Sequence, residues 1–399
     1  MPTTNAGRVE TARFAAIQFF FWASIVCFEA FMVPFLTARG YSPSQTGFVM
    51  SAIFGFAILG QPAVGSLSDR LSSPRWLVAG AMAVAALAAL ALAAAAGAYA
   101  LVVAIALVYS LSANSLPAVL DAWIMARRRI EPGLSYGIAR GFGSLGFAAA
   151  ALVLGGVAER FGIPIVFRVY VAVAIAVGAL ALLMPRRGAL GSTRRERHFV
   201  EGLRAVVTNH DYLVLLGSTF LTFVGFRAAM TFLPLLLESV GGSLTDVGFA
   251  HSIAAVSEVP FLFLSGVLLR RLRGPGLIAG LLLLMAVRMF GYSLLGSAPA
   301  LLLLQLSHGL TFGLFLAATV DYIDLIAPAA HRSLFQAIAP SVFFGLGSIV
   351  GSWVGGIAIE AFSLVWVYRA AAVLAVAGTA GMALIALRRG DTTGVDGGR

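Results

Sequence analysis

The chain has 399 residues, of which 60% are hydrophobic and only 11% are charged, and its formal net charge is +10. A soluble domain carries about 25% charged residues, and a globular chain of this size cannot bury so much apolar surface. Collagens, disordered chains, disulfide scaffolds and cytosolic enzymes are therefore excluded. Continuous apolar runs of about 20 residues favour membrane helices over a β-barrel, whose strands are about half as long.

Twelve apolar runs are long enough to cross about 30 Å of hydrocarbon at a helical rise of about 1.5 Å per residue. The sequence therefore predicts an all-α polytopic membrane protein with twelve transmembrane helices. In chain order they occupy residues 13–36, 45–67, 76–96, 99–126, 136–157, 163–184, 211–236, 245–268, 275–295, 299–327, 333–357 and 363–387.

The basic residues, all of them arginine, indicate the orientation of these spans. If the N-terminus is inside, 20 of the 27 arginines fall in inner segments, and the outer ends hold only Arg39, Arg160, Arg168 and Arg369. The positive-inside rule then predicts that both termini are cytoplasmic. The net charge therefore needs no nucleic-acid partner, and we predict a multi-pass protein of the bacterial cytoplasmic (inner) membrane.

Charged positions recur at an offset of about half the chain. The pairs include Asp121 and Asp321, Arg70 and Arg271, Glu159 and Glu360, and Arg168 and Arg369. Six spans per half at a constant offset are typical of parallel repeats. We predict an N-terminal six-helix half at 1–184, a cytoplasmic linker at 185–210 and a C-terminal six-helix half at 211–399.

The loop between the second and third spans holds Gly65-Ser66-Leu67-Ser68-Asp69-Arg70, with Arg75 beyond. This segment resembles the G-x-x-x-D-R motif of the major facilitator superfamily, which implies the fold of that superfamily. We expect Gly65 to permit close helix approach, and Asp69 to accept hydrogen bonds from Arg70 or Arg75 as a gating latch. The alternative is a solvated charged loop.

Two longer segments resemble the lactose permease and 3-phenylpropionate permease group of proton symporters. They are Asn114 to Ala122, which reads NSLPAVLDA, and Tyr136 to Phe147, which reads YGIARGFGSLGF. In the lactose permease the matching acidic and arginine positions form the sugar-binding pair, so the resemblance implies those roles for Asp121 and Arg140. Phe147 stands where the lactose permease has a tryptophan.

The C-terminal half adds three matches to the same group. Glu258 resembles its acidic position in span eight, and Arg288 resembles its arginine in span nine. The run from Gln305 to Phe312, QLSHGLTF, resembles the Q-x-x-H-G-x-T-F of the phenylpropionate branch.

Several ionisable residues fall well inside the predicted spans, where each is a functional hypothesis because burial in hydrocarbon is costly. Helical rise places Arg140, Glu258 and His308 roughly 12 to 18 Å deep, near the midplane where transporter sites lie. From depth and shared helix faces we predict substrate contacts at Asp121, Arg140, Phe147, Asn114, Ser144, Trp22 and Arg227. Structural ion pairing and ordinary aromatic packing are the alternatives.

Proton coupling is predicted for Glu258, Arg288, His308, Glu29 and Asp321. Desolvation favours the neutral form of a carboxylic acid, so a midplane carboxylate can load and release a proton. Imidazole changes charge near physiological pH. The alternative for these residues is charge neutralisation within the fold, and for His308 a simple hydrogen bond between helices.

The function that we predict is secondary active transport by a proton-coupled symporter that alternates access. No P-loop, metal motif or nucleophile motif is present, so neither an enzyme nor a cofactor other than the coupling proton is expected. Arginines and rings favour a small aromatic carboxylate, then a sugar or nucleoside. The expected protein is a monomer whose partners are this solute, protons and the bilayer. The alternatives are a proton-antiport exporter and a non-transporting receptor.

Overall fold

The computed structural model describes residues 5–71, 73–95, 98–185, 199–272 and 274–393, with the backbone alone for residues 69, 199 and 390–393. Within these residues the chain is helical and has no strand. Twelve helices or broken helices in the described ranges are long and apolar enough to cross a membrane. Each overlaps one predicted run, so the predicted all-α twelve-span fold is confirmed.

Two of the first six spans are interrupted: span 1 is broken between two helices, and span 4 contains a π-helical turn. Their bounds are Asn5–Glu29 with Met32–Ala38 for span 1, Pro43–Arg70 for span 2, Arg75–Ala94 for span 3, Tyr99–Tyr109, π-helical Ser110–Asn114 and Pro117–Ile130 for span 4, Tyr136–Phe161 for span 5, and Ile165–Leu182 for span 6.

A short helix, Phe199–Thr208, precedes the last six spans and is called the linker helix below. The following bounds are His210–Thr231 with Leu233–Ser239 for span 7, Leu244–Arg271 for span 8, Gly274–Tyr292 for span 9, Ala298–Gln305, π-helical Gly309–Gly313 and Leu314–Ile326 for span 10, Arg332–Pro340, π-helical Ser341–Leu346 and Gly347–Ala361 for span 11, and Leu364–Thr393 for span 12.

Contacts divide the described chain into two compact units. Unit 1 comprises the described residues of 1–41, 52–193 and 242–256, and unit 2 comprises those of 42–51, 194–241 and 257–399. Each unit is therefore mostly one half of the sequence plus a short segment from the other. The division into halves at 185–210 stays a prediction, and residues 186–198 of the proposed linker lie outside the described part.

In unit 2 the start of span 2 is capped by side chains. Ser42 and Gln45 form a reciprocal pair, in which each backbone N–H donates to the other side chain at 3.0 and 3.3 Å. The carboxylate of Glu360 accepts a further bond from the backbone N–H of Ser44 at 2.9 Å. These groups satisfy amide donors that a helix N-terminus otherwise leaves open.

Unit 1 repeats this arrangement 201 residues further along the chain, at the start of span 8. Ser243 and Asp246 form the same reciprocal pair at 2.8 and 3.3 Å. Glu159 accepts from the backbone N–H of Leu244 at 2.8 Å. Glu159 and Glu360 are both exposed, and each carboxylate also caps the N-terminus of a helix.

A buried ion pair joins the first turns of span 1 to the end of span 4 in unit 1. The Glu10 carboxylate lies 3.1 Å from Nη2 of Arg127, and both side chains are less than 10% exposed. Arg13 approaches the same carboxylate at 2.9 Å, but its side chain is 47% exposed. This pair could not be predicted from the sequence, because Glu10 precedes the predicted apolar run.

Replacing Glu10 by Gln is expected to lower the free energy of unfolding by about 3–5 kcal/mol, because it removes the carboxylate from a buried guanidinium. Arg13→Gln is the matched control and should change it by less than about 1 kcal/mol, because that partner is largely exposed. Thermal unfolding of the purified variants in one detergent measures both. Equal midpoints for the two variants would contradict the interpretation.

Candidate functional site

Arg288 in span 9 is the centre of a polar cluster in unit 2. Arg288 is only 2% exposed, and an arginine is rarely buried so completely. Nη1 lies 2.9 Å from Nδ1 of His308 and donates to Oγ1 of Thr311 at 3.3 Å. Nη2 donates to the hydroxyl of Tyr292 at 3.1 Å and to Oε1 of Gln305. The cation is therefore held by a fixed set of polar groups.

Three of those partners come from the QLSHGLTF run of span 10. Gln305, His308 and Thr311 are three residues apart, and the helix changes to a π-helical turn at Gly309–Gly313. Residues at i and i+3 lie on one helix face, so this run presents one polar row to span 9. The motif that suggested a family branch is thus the set of groups that binds the buried arginine.

The hydrogen bonds of His308 determine its tautomer. A guanidinium only donates, so Nδ1 of His308 must accept from Arg288. The ring hydrogen is therefore on Nε2, which lies 3.2 Å from Oε1 of Glu258 and donates to it. In this arrangement the imidazole is neutral, because a second hydrogen on Nδ1 would face a donor. The side chain of Glu258 is 25% exposed.

Aromatic rings fix the position of the imidazole. The ring of His308 stacks on Phe312 with centroids 4.8 Å apart and lies 6.1 Å from that of Phe226 in span 7. Together with the bonds to Arg288 and Glu258, this leaves the imidazole little rotational freedom. The arrangement is a rigid connection from a buried cation to a partly exposed carboxylate.

Spans 8 and 10 approach closely at Gly309. Its backbone N–H donates to Oγ of Ser257 at 2.9 Å. A Cβ at this position would overlap the backbone of Ser257. The next residue of span 8 is Glu258, so this contact sets how near the carboxylate comes to His308.

Gly309→Ala is expected to move span 8 away from span 10 and to reduce transport strongly, because the added methyl group overlaps backbone atoms. Gly280→Ala in span 9 is the matched control, since a Cβ there meets nothing within 4 Å. Initial transport rates at equal amounts of folded protein compare the two. Equal rates would show that the close approach of the two helices is dispensable.

A second polar cluster lies in unit 1. The indole N–H of Trp22 donates to Gln18 at 2.9 Å, and the amide of Gln18 donates to Asp121 at 3.4 Å. The guanidinium carbon of Arg140 lies 4.3 Å from the centroid of the Trp22 ring. Tyr136 faces the carboxylate of Asp121. This cluster offers a carboxylate, a guanidinium and an aromatic face within one unit.

The structure brings Asp121 and Arg140 into one cluster without a direct ion pair, and their role in substrate binding stays a prediction. Among the described residues the two form no ion pair within 4 Å, and the contacts run through Gln18 and Trp22 instead. Both side chains are half-buried. Gln18 is 1% exposed and is a member of the site that the sequence analysis left out of its substrate set. Its four-residue spacing from Trp22 was the available signal.

Other predicted substrate residues have separate environments. Asn114 lies in the π-helical turn of span 4 and accepts from the hydroxyl of Tyr109 at 3.5 Å. Ser144 is exposed one turn from Arg140, and Phe147 faces the ring of His251 at 6.3 Å between centroids. Arg227 is half-buried in span 7. Their part in binding stays a prediction.

The remaining predicted coupling residues are Glu29 in unit 1 and Asp321 in unit 2. Glu29 is half-buried at the end of the first helix of span 1. Asp321 lies 13 residues beyond His308, or roughly 20 Å along span 10. It lines a cavity of about 490 Å³ with Asp324 and the apolar side chains of Leu269, Leu316, Ala317 and Val320.

The loop motif differs from the expectation at two positions. A Cβ at Gly65 would meet nothing within 4 Å, so Gly65 does not mark a close helix approach. Arg75 is 8% exposed and donates to the carbonyl of Met184 at 3.4 Å, at the end of span 6. Arg70 is exposed. The side chain of Asp69 lies outside the described part, so the latch stays a prediction.

Comparison with known proteins identifies relatives along nearly the whole chain. A model of the MFS_1 like family matches residues 11–370. The chain is 28% identical to a maltose permease of Geobacillus stearothermophilus over 352 residues, which cover 87% of each chain. It is 25% identical to the putative nucleoside transporter YegT of Escherichia coli over 370 residues, covering 86% of this chain and 82% of the relative.

Solved structures give the same fold. The crystal structure of the nucleoside transporter NupG superposes with a TM-score of 0.82 at 15% identity, covering 94% of this chain and 98% of that chain. At this identity the likeness concerns the fold alone.

Proposed function

This chain belongs to the MFS_1 like family, and from that premise we propose that it is a proton-coupled symporter for a neutral, polyhydroxylated ring compound. It is a multi-pass membrane transporter of the major facilitator type and not an enzyme. The proposal further places it in the bacterial inner membrane, as a monomer without cofactors. The observation that carries it is the connected series Arg288, His308 and Glu258.

The balance of charge between Arg288 and Glu258 supports proton coupling. Arg288 is a buried cation whose described partners are neutral, and Glu258 is the carboxylate connected to it through His308. Buried charges require compensation, so protonation of Glu258 changes the electrostatic balance of the whole cluster. Because His308 is held neutral, the proton resides on the partly exposed carboxylate. A carboxylate that gains and loses a proton as the transporter alternates access couples solute movement to the proton gradient.

The contacts of Arg288 and Arg140 favour one class of substrate. Anionic substrates are favoured where cations are available, but Arg288 is occupied by four side chains. Arg140 lies over Trp22 in a cluster that also contains the Asp121 carboxylate. A carboxylate and a guanidinium beside an aromatic ring can accept from and donate to hydroxyl groups while the ring packs on the sugar face.

The names of the relatives support the same class. One is a maltose permease and another a putative nucleoside transporter, and both solutes carry several hydroxyl groups on a ring. The small aromatic carboxylate that the sequence resemblance favours becomes the second candidate, because it leaves Asp121 without a donor from the solute.

External pH in lightly buffered, de-energised cells tests the function. Maltose, other disaccharides, nucleosides and 3-phenylpropionate are added in turn to cells that express the protein. Alkalinisation with a sugar or nucleoside, absent from cells with Glu258→Gln, is the expected result. Alkalinisation with 3-phenylpropionate alone would replace the substrate class and retain proton symport. Uptake that requires sodium would overturn proton coupling.

If no solute of the panel changes the external pH, the proposal that the protein imports its substrate is wrong. If energised cells then expelled dyes or metabolites, a proton-antiport exporter would replace the symporter. Cells carrying the empty vector provide the baseline for both measurements.

A further inference from the structure

The linker helix Phe199–Thr208 carries an exposed apolar stripe outside the spans. Val200, Leu203 and Val207 are 79%, 44% and 57% exposed. Their spacing of three and four residues places them on one helix face. Leucine and valine side chains exposed within a span face lipid, but these three precede span 7 and need another explanation.

A second face of the same helix is packed on the protein. Val206 is 4% exposed. A Cβ at Gly202 would meet the side chain of Leu334 at 2.7 Å and that of His331 at 3.1 Å. The helix is therefore fixed on unit 2 in one orientation, and its apolar stripe points away from this unit's interior.

The position of the linker helix follows from Asn209, which comes directly after it. The side chain of Asn209 accepts from the backbone N–H of Tyr212 and so caps span 7. Its amide also donates to the carbonyl of Ile326 at the end of span 10. The helix thus lies where two spans end, on the side that the arginine distribution predicts to be cytoplasmic.

Charged residues lie beside the apolar stripe and in the sequence that precedes the linker helix. Arg204, the basic residue of the linker helix, is exposed one turn from Val200, and the acidic Glu201 is exposed on the same helix. Residues 186–198 contain five arginines and one glutamate. An amphipathic helix with basic residues beside an apolar face is typical of segments that lie in the membrane interface and bind anionic lipids.

We propose that the linker helix is an interfacial anchor, which inserts Val200, Leu203 and Val207 into the cytoplasmic leaflet and binds anionic phospholipid headgroups through Arg204. The inner leaflet is the occupant that fits both the apolar stripe and the positive charge. Membrane binding by this helix does not depend on the transported solute, so it can be tested separately from the proposed function. It holds the linker at the bilayer surface beside the inner ends of spans 7 and 10.

Site-specific fluorescence on the full-length protein tests this anchor. In a Cys27→Ser background, Val207→Cys and Thr208→Cys are labelled with bimane and placed in nanodiscs of phosphatidylcholine with or without phosphatidylglycerol. Both positions are exposed, but Thr208 lies on the polar flank of the helix. We expect doxyl-labelled lipid to quench the Val207 label several-fold more than the Thr208 label, and phosphatidylglycerol to increase the difference. Arg204→Gln should remove that increase.

Equal access of aqueous iodide to the two labels in both lipids would overturn the proposal. So would quenching or disulfide formation at Val207 that depends on protein density and not on lipid, because a second copy would then cover the stripe. Labelled variants are compared only after their thermal midpoints match that of the Cys27→Ser protein.

Discussion

Replacing Glu258 by Gln is expected to abolish uphill accumulation of solute while exchange across the membrane continues. Glutamine has the shape of glutamate but cannot carry the coupling proton. Its amide oxygen can still accept from Nε2 of His308, so the contact that the structure shows at 3.2 Å is retained. Accumulation driven by a proton gradient and counterflow without a gradient, measured in the same vesicles, separate the two processes.

Glu360→Gln provides the matched control for this experiment. It makes the same chemical change at a carboxylate whose contact is the cap on Ser44, and it should keep accumulation. Accumulation by Glu258→Gln equal to that of the unmodified protein would move the coupling proton to another group, with Glu29 and Asp321 next. Loss of exchange together with accumulation would make Glu258 a substrate ligand.

Replacing Arg288 by Lys is expected to destabilise the protein and to stop coupled transport, although the positive charge remains. One ammonium group cannot reach the partners that the planar guanidinium contacts on two sides, so buried groups such as Gln305 and Tyr292 lose their donor. Each buried polar group left unsatisfied costs about 1–3 kcal/mol, which gives a loss of about 2–6 kcal/mol for the two. Thermal unfolding in detergent measures this loss.

The change in His308 is the functional part of the same prediction. Without the donor from Arg288, Nδ1 of His308 is free to take a proton, and the imidazole competes with Glu258 for it. Arg369→Lys is the control, because Arg369 is exposed near the start of span 12. An unchanged midpoint and wild-type accumulation for Arg288→Lys would refute the assigned role of the guanidinium.

Much of the architecture could be predicted from the sequence. The number and position of the spans follow from apolar length alone, because a helix must cover the hydrocarbon thickness whatever its neighbours are. The depths of Arg140, Glu258 and His308 are predicted in the same way from helical rise. Family motifs indicated a transporter of the major facilitator type, and the family match agrees with that conclusion.

Partners across helices could not be predicted, since they depend on how each helix is rotated and which neighbour it meets. Asp121 and Arg140 have opposite charges, but their contacts are with other residues. Asp121 accepts from Gln18, Gln18 accepts from Trp22, and Arg140 lies over the Trp22 ring. Arg75 reads as a loop charge but is buried against the carbonyl of Met184. In both cases the sequence indicated the type of residue, and helix packing decided its contact.

The twelve helical spans and the transporter superfamily were predictable from the sequence, because both depend on length, polarity and local motifs. The four side chains that hold Arg288 and the neutral Nε2–H tautomer of His308 follow from the folded structure alone. The physical reason is that a tautomer is set by which donor and which acceptor face the ring, and these come from spans 8 and 9, distant from His308 in the sequence.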